Sequence, residues 1–276
     1  MSPNQIFPVS LETATNGGNP HLHPETATIG TAGVLVQPLR GLDVTLDYWH
    51  VHIDDVIQTL PVATILARCY EAGIQQFCDE IHRDPTSLSL SNIVDLVQNV
   101  GSVTTSGLDL SAAYQHRTGA GTFRYALEGT YLFGYDLDNG AIDPVTGKDQ
   151  IIHGKGFYDL GVNPDLKFNL FATWSRPTGL GAGSNLRFVD SFQECQQDNC
   201  NQASNLRREV AAYATGDLFV SYTLTSRQGT TNVSAGVNNV VDARPPAIYS
   251  TAAPNADASA YDFMGRQFYV RLGQRF

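Results

Sequence analysis

Long stretches of strict alternation between apolar and polar side chains limit what this chain can fold into. In the closing stretch, Phe268, Val270 and Leu272 alternate with Tyr269 and Arg271. This period of two predicts β-strands with one apolar and one polar face. The pattern recurs about ten times, roughly at residues 26–38, 42–57, 91–100, 103–117, 121–135, 163–176, 183–193, 213–225, 230–240 and 265–276. The sequence therefore predicts an all-β fold.

The length of these runs and their connections indicate a particular kind of β fold. Many runs have 11 to 15 residues, whereas a strand in a globular protein has about five or six. A tilted strand needs about 9–11 residues to cross a bilayer. Tight Gly or Pro turns at 38–41, 117–120 and 178–181 alternate with long connections at 58–90, 136–162, 194–212 and 241–264. Because membrane barrels have short turns on one side and long extracellular loops on the other, we predict an antiparallel transmembrane β-barrel.

Charge and hydropathy exclude two other classes of protein. The 276 residues carry a formal net charge of −10 and no basic run, so we expect no nucleic-acid partner. The mean hydropathy is −0.17, and the sequence has no run of 18 apolar residues, which excludes a transmembrane helix. A membrane barrel is not excluded, because its strands alternate lipid-facing and lumen-facing residues.

Four cysteines form two close pairs, Cys69 with Cys78 and Cys195 with Cys200. Neither pair has the CxxC spacing of a zinc site or a redox motif. Both pairs lie in polar segments between strand-like runs, so we expect two local disulfides in loops that face an oxidising space, with four unpaired thiols as the alternative. From Val62 to Arg83, apolar residues recur at helical spacing. This segment predicts one or two short helices, braced by a Cys69–Cys78 bond.

The sequence shows no catalytic motif: GxSxG, HExxH and the P-loop are all missing. We therefore expect no enzyme and no cofactor. His50 and His52 share a strand face, but without a third ligand nearby they are better read as ordinary polar positions than as a metal site. Specificity in such a fold lies in loops on a rigid scaffold. The candidate ligand contacts are accordingly loop residues: Gln196, Gln197, Asp198, Asn199, Tyr249 and Tyr261.

Five stretches, in order from residue 19 to the last residue, form recognisable motifs. The first is NPHLHPET, with Asn19, Pro20, Pro24 and Glu25. The second is GLDVTLDYW, with Asp47, Tyr48 and Trp49, followed by IDD; the third is NVGS with SGLDL, which includes Gly107 and Asp109. The fourth is GVNNVVDARPP, with Asn239, Asp242, Pro245 and Pro246, and the fifth is the closing GRQFYVRLGQRF. Together these five stretches resemble the C-terminal half of the barrel of TonB-dependent outer-membrane receptors.

The resemblance implies one partial barrel domain over residues 1–276, with about ten strands of a barrel that has about 22. The signal peptide, TonB box and plug domain of the family are not recognisable in the sequence. A partial barrel has open strand edges, which lipid does not tolerate. We therefore expect a C-terminal fragment that neither gates nor transports by itself.

The resemblance also implies the function of the parent protein. It would be a receptor for TonB-dependent uptake of a scarce nutrient across the outer membrane of a Gram-negative bacterium. A ferric siderophore is the family's default ligand, and vitamin-type chelates and oligosaccharides are alternatives. The implied partners are the TonB energy-coupling complex, the barrel-assembly machinery, outer-membrane lipid and the small-molecule chelate or oligosaccharide.

Two hypotheses from other classes stay open at this point. An outer-membrane barrel with an adhesive or hydrolytic role predicts, in its hydrolytic form, a Ser/His/Asp cluster at the lumen rim. A soluble β-rich carbohydrate-binding module predicts strands of about five to seven residues and recovery in the aqueous phase without detergent.

The final aromatic residue generates a prediction about assembly. Phe276 ends a strand whose apolar residues would face lipid, and such an ending resembles the recognition signal for the barrel-assembly machinery. Deletion of Phe276 from the full-length protein should reduce the amount of folded receptor in the outer membrane, measured by fractionation and heat modifiability. Unchanged membrane insertion would refute this role.

Overall fold

A computed structural model describes residues 14–60, 62–142, 149–158, 161–195, 206–227, 229–249 and 255–276. In these residues the strands are β1 (Ala14–Gly17), β2 (Thr26–Leu39), β3 (Leu42–Asp54), β4 (Ile57–Gln58), β5 (Ile81–Arg83), β6 (Leu90–Leu96), β7 (Gln98–Asn99), β8 (Ser102–Thr118), β9 (Gly121–Ile142), β10 (Asp149–His153), β11 (Leu166–Ser175), β12 (Leu180–Val189), β13 (Phe192–Cys195), β14 (Arg207–Val210), β15 (Tyr213–Ser226), β16 (Gly229–Asn238) and β17 (Gln267–Arg275). The helices are α1 (Val62–Tyr70) and α2 (Gln75–Asp79).

The long strands form one antiparallel sheet of ten. Its order is β17-β16-β15-β12-β11-β9-β8-β3-β2, and β10 pairs with β9. The strands along this path have between 9 residues, in β17, and 22 residues, in β9. The predicted all-β, antiparallel fold with long strands is therefore confirmed. By contacts the described chain divides into two compact units. Unit 1 comprises the described parts of Met1–Thr28, Val51–Thr104 and Asp136–Ile152, and unit 2 those of Ile29–His50, Thr105–Tyr135 and His153–Phe276.

The sheet of unit 2 has one apolar and one polar face, because directly paired residues of antiparallel strands lie on the same side. One apolar row crosses six strands through Val270, Ala235, Val220, Ala182, Trp174 and Phe123. Along this apolar face large side chains are exposed: Val270 at 78% and Val220 at 58%. A contiguous exposed apolar surface of this kind is not suited to water and marks a face that meets an apolar environment.

Aromatic side chains cluster on the apolar face. The rings of Tyr48 and Phe133 lie 6.2 Å apart, and those of Tyr131 and Phe133 lie 5.6 Å apart. Trp49, the neighbour of Tyr48, points to the polar face, since neighbouring residues of a strand point to opposite sides. There it lies against Gly107, where a β-carbon would come within 2.4 Å of the indole.

Unit 1 contains a small three-stranded sheet with the order β1-β6-β5 and the two short helices. Its core consists of Leu60, Ile65, Cys69, Phe77 and Ile93. The predicted Cys69–Cys78 disulfide joins α1 to α2. The short helices and this disulfide are thus confirmed.

Two expectations for this region are wrong. The run 91–100 is not a long strand of the main sheet, because β8 pairs directly with β3 and the alternating residues of β6 bury Ile93 in the core of unit 1. The helical pattern also ends earlier than residue 83, because Ile81 pairs with Ile93 and residues Ile81–Arg83 form β5.

The close contact at Gly107 generates a prediction. Gly107→Ala should lower the free energy of unfolding by about 1–3 kcal/mol, because the new methyl group has to displace the Trp49 ring or the backbone of Tyr131. Gly134→Ala is the matched control on the polar face of β9, since nothing lies within 4 Å of its β-carbon position. Unfolding in detergent measures both, and equal stability of the two variants would contradict the packing described.

Candidate functional site

A cavity of about 580 Å³ lies in unit 2, between the polar face of the sheet and the loop after β16. The strands contribute mainly polar and aromatic side chains: Glu128, Thr130, Lys167, Asn169, Arg187, Tyr213 and Thr215. The loop contributes Ala258, Ser259, Ala260, Tyr261 and Asp262. The size falls within the range of small-molecule sites. The cavity is therefore the candidate binding site of this unit.

The loop is held against the sheet by a hydrophobic cluster, which comprises Val162, Phe192, Val210, Tyr213, Ile248 and Tyr261. The rings of Tyr213 and Tyr261 pack edge to face with centroids 5.1 Å apart. The Tyr261 hydroxyl is buried without a hydrogen-bond partner, and burial raises its pKa. Tyr261 is thus a neutral phenol at the cavity wall, with a donor and an acceptor that no described protein group satisfies.

A second anchor of the loop is the carboxylate of Asp257. It accepts hydrogen bonds from the hydroxyl of Tyr158 at 3.2 Å and from the backbone N–H of Ser259 at 2.8 Å. Hydrogen bonding by Ser259 is the main cause that lowers the pKa of Asp257, and the Lys167 ammonium contributes in the same direction. Asp257 therefore stays ionised, and its charge draws the loop towards the cation on β11.

A charged pair on the polar face fixes the start of the loop. The guanidinium of Arg187 donates two hydrogen bonds to the carboxylate of Asp217, at 2.8 and 3.0 Å, and a third to Thr215 at 3.1 Å. One Asp217 oxygen also accepts the backbone N–H of Asn239 at 2.9 Å. Asp217 thereby links β12, β15 and the first residue after β16.

Asn239 and Asp242 turn the chain out of the sheet. Both have positive φ, 51° and 55°, a conformation in which Asn and Asp are enriched among non-glycine residues. The Asn239 amide spans the turn, donating to the Ala243 carbonyl and accepting its N–H, each at 2.8 Å. Asp242 accepts the N–H of Arg266 at 3.0 Å and so ties the two ends of the loop. Pro245 and Pro246 follow outside any strand, as consecutive prolines require.

The other motif residues that can be traced also hold backbone or neighbouring strands. In unit 1 the Glu25 carboxylate accepts the N–H of Ile57 at 2.7 Å, and the Asn19 side chain accepts the N–H of His21 at 2.9 Å. In unit 2 Asp109 accepts a 2.6 Å hydrogen bond from Thr130. The motif residues therefore serve the architecture of the sheet and its turns.

The predicted ligand contacts are not brought together. Tyr261 lines the cavity, whereas Tyr249 is 66% exposed and its ring lies 4.4 Å from the Arg208 guanidinium. The segment Gln196 to Asn199 lies outside the described residues. Cys195 is disulfide-bonded, but Cys200 lies outside the described residues, so the second pairing stays a prediction.

Sequence reasoning missed the residues on the strands that line the cavity, above all Lys167, Asn169, Arg187 and Tyr213. Each is close to the end of its strand that adjoins a long connection. Polar residues at such strand ends were a usable signal. The sequence alone did not give the lateral register that brings β9, β11, β12 and β15 together around one cavity.

In unit 1 the side chains of Thr104, His52 and Asp54 form a row of a hydroxyl, an imidazole and a carboxylate. His52 lies 2.7 Å from the Thr104 hydroxyl and 3.1 Å from Asp54. The side chains of His52 and Asp54 are 36% and 55% exposed, so the row lacks the buried carboxylate that orients the imidazole of a hydrolase. It is a polar ladder between neighbouring strands.

The sequence matches the family model of the TonB dependent receptor-like β-barrel over residues 2–240. The chain belongs to this family. No curated protein matches it. No helix among the described residues is long and apolar enough to cross a membrane. Within the described ranges, no group of three or more His, Cys, Asp or Glu side chains is placed to hold a metal ion.

Solved structures share the fold at low sequence identity. The outer membrane transporter YddB from Escherichia coli is 13% identical with a TM-score of 0.61, and 97% of the chain covers 35% of it. The ferric enterobactin receptor PfeA, in complex with BCV-L6, is 17% identical with a TM-score of 0.59, and 94% of the chain covers 32% of it. The siderophore receptor PirA from Acinetobacter baumannii is 16% identical with a TM-score of 0.57, and 93% of the chain covers 32% of it. The chain thus spans about a third of the length of these proteins.

The link between Arg187, Asp217 and Asn239 generates a prediction. Asp217→Ala should destabilise unit 2 by about 1–3 kcal/mol, because it leaves the guanidinium and the Asn239 N–H without their acceptor. Asp165→Ala is the control, since the Asp165 carboxylate forms a half-exposed pair with Lys155 at 3.5 Å, and the loss of such a pair should cost less than about 1 kcal/mol. Urea unfolding in detergent compares them, and equal losses would argue against a special role of Asp217.

Proposed function

We propose that this chain is a C-terminal part of the barrel of an outer-membrane receptor that takes up a ferric siderophore. The observation that carries the proposal is the sheet of unit 2, whose exposed apolar face is backed by a polar face with a cavity under a long loop. A transmembrane barrel needs this arrangement, because one face meets lipid and the other a wet interior. Membership of the receptor family supports it.

The ligand class is proposed from the cavity chemistry and from the related structures. Lys167 and Arg187 are the cationic residues of the cavity wall, and the Tyr261 hydroxyl offers a donor and an acceptor that no described protein group satisfies. Such a surface suits an oxygen-rich, anionic chelate, since charge-assisted hydrogen bonds to oxygen are the stronger ones. Two of the similar structures are receptors for a siderophore and for ferric enterobactin. A vitamin-type chelate or an oligosaccharide is the alternative outcome of the test.

The receptor would act as a transporter and not as an enzyme. Its proposed partners are the TonB energy-coupling complex, the barrel-assembly machinery and outer-membrane lipid. Its proposed location is the outer membrane of a Gram-negative bacterium. Transport is assigned to the full-length receptor, since this chain spans about a third of the similar transporters.

Lys167 provides the test of the cavity as the binding site. In the full-length receptor, Lys167→Ala should weaken binding of a ferric siderophore at least tenfold, because the loss of one charge-assisted hydrogen bond costs about 1.5–3 kcal/mol. Arg124→Ala is the matched control: Arg124 is a cation on the same polar face that bonds Gln115 and does not line the cavity. Binding and TonB-dependent uptake of iron-55 are measured with a panel of ferric siderophores.

Three results would contradict the proposed function. They are failure of every ferric siderophore in the panel to bind, uptake that is independent of TonB, and recovery of the full-length protein in the aqueous phase without detergent. Equal affinity of Lys167→Ala and Arg124→Ala would move the binding site away from the cavity.

A further inference from the structure

Two carboxyl groups lie on neighbouring segments of unit 1, next to the disulfide-linked helices: Asp95 is buried and Glu80 is half-buried. Asp95 lies on the core-facing side of β6, two residues after the fully buried Ile93, and is 9% exposed. Glu80 follows α2, and its backbone carbonyl accepts the N–H of Val94 at 2.9 Å. One oxygen of each carboxyl, Glu80 Oε2 and Asp95 Oδ1, is buried without a hydrogen-bond partner.

Among the described side chains, one neutral donor reaches this pair. The amide of Gln98, itself 7% exposed, donates to Glu80 Oε1 at 2.6 Å. Burial raises the pKa of Glu80, and the neighbouring charge of Asp95 raises it further, against the lowering effect of Gln98. Burial also raises the pKa of Asp95. Ionisation of the buried Asp95 together with the half-buried Glu80 is unfavourable, since no described cation acts on either carboxyl. Protonation of one of them relieves both the cost of burial and the repulsion.

The charged groups on the surrounding elements are engaged elsewhere or exposed. Arg68 of α1 donates to the Gly140 carbonyl and pairs with Asp149. On β5, His82 is exposed and Arg83 bonds the Leu88 carbonyl and the Tyr70 hydroxyl. On α2, Asp79 accepts from Gln75. The sequences of β1, β4 and β7 contain no titratable residue.

We propose that Glu80 and Asp95 share one proton in folded unit 1 and that the loss of this proton loosens the unit as the external pH rises. A calcium ion takes 6–8 oxygen ligands, whereas no third His, Cys, Asp or Glu side chain among the described residues joins this pair to hold a metal ion. The proton completes the missing hydrogen bond, since a protonated carboxyl is a donor. The device is local and does not depend on the ligand of the receptor.

The direction of the pH effect follows from linkage. The pKa values of both groups are raised above their ordinary values of 4.5 and 3.8, so the folded unit binds more protons than the opened one. Its stabilisation is complete below pH 3.8 and is lost as the pH rises through the raised values. In the pH range where opening of unit 1 releases one proton, the equilibrium constant for opening rises about tenfold per pH unit.

Hydrogen exchange of the full-length receptor in detergent tests the proposal. Protection factors of the β6 amides, corrected for intrinsic exchange, are measured between pH 4 and 9. They should fall by about tenfold per pH unit over part of this range, whereas those of β15 in unit 2 should not. The double variant Glu80→Gln with Asp95→Asn should show no such slope, and Glu71→Gln, a substitution of an exposed carboxylate of the same unit, should keep it.

Single variants separate a shared proton from two independent groups. In Asp95→Asn, the fall in β6 protection that is due to Glu80 should occur at lower pH, because the neighbouring charge is gone. If this fall stays at the same pH, the two groups do not share a proton. A pH-independent protection factor in the parent protein overturns the proposal altogether. An increase in β6 protection on addition of Ca²⁺ at constant pH would identify a metal ion in place of the proton and also overturn it.

Discussion

The ladder of backbone hydrogen bonds between neighbouring long strands is the interaction on which the rest of the structure depends. It fixes the lateral register, and because side chains alternate along each strand, the register also decides which residues share a face. The apolar row from Val270 to Phe123 exists only in this register. A slip of one residue would turn Lys167 and Arg187 towards the apolar side and dismantle the cavity.

The local parts of the structure could be predicted from the sequence. Strand existence, two-faced character and tight turns follow from the period of two and from Gly or Pro at the turns, which are properties of a short window of residues. The alternation of a run does not predict which other elements of the fold the strand packs against. The run 91–100 alternates like a long barrel strand, yet the buried face of β6 packs on the helices of unit 1. The alternating pattern of a strand thus does not show which strand or helix lies next to it.

The candidate site was less accessible to prediction than the fold. Tyr261 was predicted from its position in a loop, and it lines the cavity. Lys167, Arg187 and Tyr213 come from separate strands, so only the pairing of those strands brings them together. Motif residues such as Glu25, Asp109 and Asn239, by contrast, bond the backbone or side chains of neighbouring segments. The motifs in the sequence thus predicted the fold more readily than they predicted the residues that line the cavity.

The contacts at the turn around Asn239 fix where the loop after β16 begins and ends, and they do not involve the residues at the tip of the loop. Asn239 closes the turn with its own amide, Asp217 holds its N–H from the sheet, and Asp242 binds the returning strand at Arg266. These contacts set the points where the loop leaves and re-enters the wall without using the residues at its tip. The sheet therefore fixes the two ends of the loop. A loop of different sequence could replace residues between these ends without changes to the strands.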